Sequence, residues 1–362
     1  MSTSRVGILG LGCAAPTLRR SQEDALALAL SIAPPRTDDD RRRVEAIYRK
    51  CGVESRGVAA GDDEADPLAL FFPATADDPH GPTTAERLHA YARRAPPLAR
   101  RSAAAALADA GVAASAITHL VTATCTGFGA PGWDIDLAGA LGLSASVHRI
   151  NVGFMGCHAA LNALRAAQSI AAADPKARVL VCCTEICSIH FKYQARPDQI
   201  VANALFADGS ASCVVAASEA GVCTLGPSAS NLFPASADQM SWSIGDHGFE
   251  MTLAHELPTT VRDQAGAWLA RWLGEHAMTT DDVRHWAVHP GGPRILTAVA
   301  EAAALPREAL AWSRAVLAEH GNMSSPTVLF ILDRLRQNGR LDEPAVLLSF
   351  GPGITAEAML LR

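Results

Sequence analysis

An α/β fold is predicted by three features of the sequence. Apolar, β-branched runs alternate with Ala/Leu-rich runs at helical spacing, the marks of interleaved strands and helices. Hydrophobic residues make up 49% of the 362 residues, enough for a large core and too many for a disordered chain. The length corresponds to about two domains of roughly 150 residues.

The order of elements follows from these runs. Val6–Leu11 reads as the first strand; glycines interrupt it and ordinary globular sequence follows, so it is not read as a signal peptide. Ser21–Ala33 and Asp39–Cys51 read as helices. Asp62–Thr84, rich in Asp, Pro and Ala, reads as a surface excursion. Helix Leu98–Ala110 leads to strand His119–Thr124. Helix His158–Ala173 is followed by strands Val179–Cys183 and Ala211–Ala216. The irregular zone Leu225–Asp246 is the candidate boundary between halves, placing domains at 1–224 and 225–362. The second half reads as helix Thr259–His276, strand His285–His289, helix Pro293–Ala303, helix Ser324–Asn338 and strand Ala345–Phe350.

A net charge of −6 with no long block of one sign lacks the basic footprint of a nucleic-acid binder. No apolar run approaches the length of a membrane span. Nine cysteines, an odd number, point to a reducing cytoplasm with mostly buried thiols rather than to a disulfide framework.

Three residues stand where strands give way to helices. Cys157, in Gly156-Cys157-His158, precedes a long helix, where unpaired N–H groups and the helix dipole favour a thiolate. The alternative for Cys157 is a small buried hydrophobe. His289 ends an apolar strand before Pro290-Gly291-Gly292-Pro293. Asn322 lies in Gly321-Asn322-Met323-Ser324; it also reads as a helix N-cap or as a glycosylation sequon, which a cytoplasmic chain would not use. Together they suit thioester chemistry, with Cys taking an acyl group while His and Asn donate hydrogen bonds to an oxyanion. Gly10-Leu11-Gly12-Cys13-Ala14-Ala15 fits a dinucleotide-binding pattern, but Pro16 follows and no helix opens there. Cys182, Cys183 and Cys187 do not make a metal site, because adjacent strand residues point to opposite faces.

The segments Val288–Leu296, Glu319–Ser325 and Phe350–Thr355, with Gly156-Cys157-His158-Ala159-Ala160 and Ala204–Gly209, resemble the type III polyketide synthases of the chalcone synthase superfamily from about Arg5 to the C-terminus. The resemblance implies a thiolase fold, two similar halves in a five-layered αβαβα core, and a homodimer. It implies an acyl-CoA starter loaded on Cys157 and extended iteratively by decarboxylative condensation with malonyl-CoA, with no cofactor beyond the CoA thioesters. His289 and Asn322 would hold the thioester carbonyl, His289 would help keep Cys157 ionised, and Phe206 would be the gate between CoA tunnel and cavity. Arg43 and Lys50 match CoA-contacting positions; a third falls on Ala46, for which Arg49 or Arg294 would compensate. In the substrate pocket Cys125 stands for a plant threonine, Ala130 for the methionine that crosses the plant dimer, and Cys187 and His190 for two more threonines. Trp242 falls near a glycine and Met251 near a phenylalanine, while Thr126, Glu185 and Ser324 match further pocket positions. The loss of polar threonines suggests an aliphatic starter and an alkylpyrone or alkylresorcinol product. The competing readings are a single-condensation enzyme like β-ketoacyl-ACP synthase III, and a non-catalytic scaffold binding CoA esters. The intact Cys157, His289 and Asn322 speak against the scaffold.

Overall fold

The computed structural model describes the chain except for residues 1–4, 63, 65, 72, 194, 195 and 219. Among the described residues nine strands form the main sheet, and their pairing repeats. From Val6–Ala14 the first half passes through Asp208–Ala217 and Arg178–Ile186 by antiparallel pairs, then through His119–Thr124 and His148–Gly153 by parallel ones. From Cys223–Leu232 the second half passes through Thr355–Leu361 and Ala345–Gly351, antiparallel, to His285–Val288, parallel. The halves join where Gly7 and Ile8 pair with Thr224 and Cys223.

Helices cover both faces, so the strands read as nearly unbroken apolar runs. The helices Ala159–Ala173 and Thr327–Gln337 lie in the middle and share one cluster with inward residues of both halves, among them Val181, Cys183, Ala345 and Leu347. Outward residues of the first half, including Cys182, pack under Thr84–Ala110 and Trp133–Leu141. Those of the second half, including Val346 and Leu348, pack under Leu257–Glu275 and Pro293–Ala302. The layers are therefore helix, sheet, helix, sheet, helix, the thiolase-like αβαβα arrangement. Cys182 and Cys183 face opposite clusters, as strand geometry requires.

Three local expectations are corrected. Leu225–Asp246 is not irregular: it holds most of the strand Cys223–Leu232 and all of Met240–Gly245, whose small and polar residues hid the alternation. The helix expected from Leu98 begins at Thr84, where Thr83 and Glu86 form a capping box, and runs through Pro96 and Pro97. The excursion 62–84, part of which lies outside the described residues, is not merely surface, since Leu68 and Phe71 line an internal cavity.

The glycines of the first strand are spacers rather than a phosphate cradle. A Cβ on Gly10 would lie 2.3 Å from the Ala110 nitrogen, and one on Gly12 would lie 2.4 Å from the Ser102 oxygen. The long helix rests directly on the strand backbone there. Gly12→Ala is expected to lower unfolding stability by about 1–3 kcal/mol or more through overpacking against backbone that cannot yield. Chemical denaturation would measure the loss, and an unchanged midpoint would refute the spacer role.

Candidate active site

Cys157 sits in a one-turn 3-10 segment, Gly156–His158, that feeds directly into Ala159–Ala173. The chain reverses between strand and turn using left-handed backbone at Phe154 (φ 56°) and Gly156 (φ 71°). A Cβ on Gly156 would meet Pro352 Cδ at 2.3 Å, so only glycine lets the turn seat against the Gly351-Pro352-Gly353 loop of the other half. The Cys157 side chain is partly buried, and the side chains of Ser324 and Asn322 act on its sulfur to favour the thiolate.

Burial pushes the Cys157 thiol up to about 12; the bond from Ser324 lowers it, the Glu185 charge raises it, and the bond from Asn322 lowers it. The expectation of a resting thiolate is therefore corrected. Loss of hydration outweighs the helix terminus and the two hydrogen bonds, and the free enzyme holds a neutral thiol.

His289 follows the strand His285–Val288, and its backbone N–H donates to Leu348 O at 2.8 Å. The Cys157 turn packs on the strand Ala345–Gly351, the parallel neighbour that delivers His289. The imidazole is 1% exposed, and neither ring nitrogen has a hydrogen-bond partner. Burial, with His158 nearby, holds its pKa down at about 3. It is a neutral ring with both nitrogens unspent, and so does not supply the charge expected to ionise Cys157.

Asn322 is fixed through its backbone to the segment around Phe206. Its N–H donates to Leu205 O at 2.9 Å, and its carbonyl accepts from the Ala207 N–H at 2.9 Å, a bridge that places Phe206 opposite it. Its Oδ1 accepts from the Ser324 N–H at 2.8 Å. Ser324 takes left-handed backbone at φ 57°, strain held at the point where its hydroxyl reaches Cys125 Sγ, 3.3 Å away.

The cavity around the sulfur is lined by Cys125, Thr126, Cys187, His190, Phe206, Trp242, Met251 and Ser324. Trp242 and Met251 are cross-strand partners, and the indole Nε1–H donates to Cys125 O at 2.7 Å. His190 stacks on Phe249 with ring centroids 4.2 Å apart. Its Nε2 donates to Thr126 O and its Nδ1 accepts from the Phe249 N–H. With burial holding its pKa at about 3, His190 is a neutral wall residue. Glu185 is fully buried behind this wall rather than in it. It accepts from the Cys125 and Thr126 backbone and from the Thr126 and Ser325 hydroxyls, fixing the two lining residues.

The family model for the N-terminal domain of chalcone and stilbene synthases matches residues 4–219, and that for the C-terminal domain matches 224–362. The chain belongs to this family. It is 33% identical over 329 residues to the alpha-pyrone synthesis polyketide synthase-like Pks18 of Mycobacterium tuberculosis, spanning 88% of this chain and 82% of that one. It is 32% identical over 358 residues to the 1,3,6,8-tetrahydroxynaphthalene synthase of Streptomyces peucetius subsp. caesius, spanning 96% and 91%. The crystal structure of PKS-I from the brown alga Ectocarpus siliculosus matches with a TM-score of 0.91 at 32% identity, over 100% of this chain and 99% of that one. As a type III polyketide synthase the protein is an acyltransferase that condenses malonyl-CoA with an acyl-CoA starter and needs no cofactor beyond the thioesters.

Not every residue expected at the polyketide synthase site is in the cavity. Ala130 is exposed, next to the cis bond to Pro131. Arg43, Lys50 and Arg294 are exposed on the outside, although Gly52, just after Lys50, packs against Pro293, beside Arg294. Sequence reasoning missed Arg20, Arg56, Phe249 and the stripe Ala25, Leu28 and Ile32, all of which line the cavity. The stripe alone left a signal, a helical spacing of three and four residues.

The neutral thiol sets a pH dependence. Below its pKa the group is protonated, so the thiolate fraction should rise about tenfold per pH unit. Cys157-directed inactivation by iodoacetamide is expected to climb without a plateau between about pH 7 and 10. A plateau with a midpoint near pH 6 would instead reveal a resting ion pair with His289.

Proposed function

We propose that Cys157 takes the acyl group from an aliphatic acyl-CoA and that His289 and Asn322 drive its extension. The thiol gives up its proton as it attacks the thioester carbonyl, CoA leaves as the thiol, and the acyl group stays on sulfur. Malonyl-CoA then loses CO2, and the enolate's carbon attacks the acyl-enzyme carbonyl, releasing the Cys157 sulfur. The observation that carries this reading is the buried His289 imidazole with two unpartnered nitrogens, on the strand beside the one against which the Cys157 turn packs. Neutral donors of this kind cost no reorganisation when charge develops on the malonyl thioester oxygen. A low pKa suits that role, because a neutral ring stabilises an enolate without quenching it. Phe206, paired through its backbone with Asn322, acts as the gate.

The starter class rests on the cavity wall. Cys125 and Cys187 replace polar groups, Trp242 fills one side, and Ala25, Leu28, Ile32 and Phe71 extend the wall in apolar form. An alkyl chain fits that lining, and two or three extensions would give an alkylpyrone or alkylresorcinol. The likeness to an alpha-pyrone synthesis relative supports the pyrone. We assign Arg43, Lys50 and Arg294 to CoA on the outer face, and the two halves to 1–224 and 225–362.

A homodimer is supported by the edge strand His148–Gly153, whose free side borders exposed Ile150, Phe154 and Met155 near Phe128. Such a patch is characteristic of an interface, and Ala130 lies beside it in sequence. A cytoplasmic location accords with the free thiols of the described residues.

Purified enzyme given a panel of acyl-CoAs with malonyl-CoA, and products read by mass spectrometry, tests the starter. Exclusive use of aromatic starters, or of malonyl-CoA alone, would overturn it, and dependence on a carrier protein would favour single condensation. Cys157→Ala is expected to abolish acyl-enzyme formation. Asn322→Ala should slow malonyl-CoA decarboxylation on the order of a hundredfold, and an unchanged rate would remove Asn322 from the mechanism.

A further inference from the structure

Two arginines enter the wall of the cavity that holds Cys157. Arg20 and Arg56 are direct partners across the antiparallel ladder of Leu18–Ser21 and Ser55–Val58. Arg56 is 7% exposed. Its terminal nitrogens donate to the carbonyls of Asn203 and Phe206 at 2.8 Å, and to Ala204 O and Gln22 Oε1, while its Nε has no partner. It is anchored on the end of the Pro197–Leu205 helix, one bond from the gate.

Arg20 is different. Its neighbour Arg19 donates to Ser55 and to Glu319 O. Arg20 is half-buried, its Nε is shielded and unpartnered, and no described residue gives it a hydrogen bond or ion pair. Among the described residues lining this cavity, none is an Asp or Glu. Like charges directly opposite in a ladder are destabilising, and the shielded Nε–H of Arg20 has no partner to replace its lost hydration. Both costs reverse when an anion enters between apolar walls, and the planar fork of Arg matches the two oxygens of a carboxylate. Tyr48 shares the wall and brings a phenolic hydroxyl.

We propose that Arg20, supported by the field of Arg56, binds a carboxylate at the far end of the aliphatic acyl chain, so that the preferred starters are ω-carboxylated acyl-CoAs. This deepens the aliphatic-starter reading above and rests on it. The CoA phosphates are the other anions within reach, and the candidate CoA residues Arg43, Lys50 and Arg294 lie outside this cavity. Arg20 shares its wall with Ala25, Leu28 and Ile32, the surface that an acyl chain would cover.

The test compares straight-chain acyl-CoAs with ω-carboxylated ones of equal length, in wild type and in Arg20→Gln and Arg20→Lys, by mass spectrometry of acyl-Cys157 and by kcat/KM with malonyl-CoA as extender. Thermal unfolding of each variant checks that it is folded. The wild type is expected to prefer the carboxylated chain. Arg20→Gln should lower the ratio of carboxylated to plain kcat/KM on the order of tenfold or more, as for a hydrogen bond to a charged group, and Arg20→Lys should retain part of it. Loading of the plain chain alone, or a ratio unmoved by Arg20→Gln, overturns the carboxylate site while leaving the aliphatic starter intact. A rise in KM shared by every CoA ester, malonyl-CoA included, also overturns it, in favour of a phosphate contact. Loading of neither chain overturns the aliphatic-starter reading and this one together.

Discussion

The seam between the two halves of the sheet is the constraint on which the site depends. Cys157 comes from the first half, His289 and Asn322 from the second, and neither half holds a complete set. What keeps them in register is apolar: the helices Ala159–Ala173 and Thr327–Gln337 bury residues from both halves in a single cluster. Close packing resists displacement of either helix, and the Gly156–Pro352 contact transmits that rigidity to the nucleophile turn. The three groups proposed to carry the chemistry come from distant parts of the chain and are thus held by contacts that carry no charge.

Low hydration governs the electrostatics of the same seam. It raises the thiol, lowers two imidazoles, and leaves Glu185 dependent on the hydrogen bonds around it. Burial therefore favours the neutral forms of Cys157, His289 and His190 before a thioester arrives. A site built this way protects its sulfur from solution electrophiles at rest while offering full-strength donors to an oxyanion.

Much of this was legible in the sequence, because the decisive signals are local. The Gly-Cys-His turn, the His-Pro-Gly-Gly-Pro strand end and the Gly-Asn-Met-Ser-Ser segment each combine a strand or helix boundary with a reactive side chain. Most helices fell within one to three residues of their observed ends for the same reason. What stayed hidden depends on distant neighbours. The protonation of Cys157 is set by burial that no local pattern encodes. Leu68 and Phe71 looked like surface because their segment lacks periodicity, and Arg20 is notable only for the absence of a partner. Cys223–Leu232 was missed because its buried and half-buried positions carry small residues.

The pairing of Phe206 with Asn322 has a consequence for how substrates move. Both backbone bonds flanking the phenyl ring are tied to a residue in the middle of the fold, so the proposed gate sits on backbone held at both ends. Admission and escape are then matters of ring rotation about side-chain bonds, far faster than loop or domain movements. A proposed gate of this kind would open without rearranging the backbone around it.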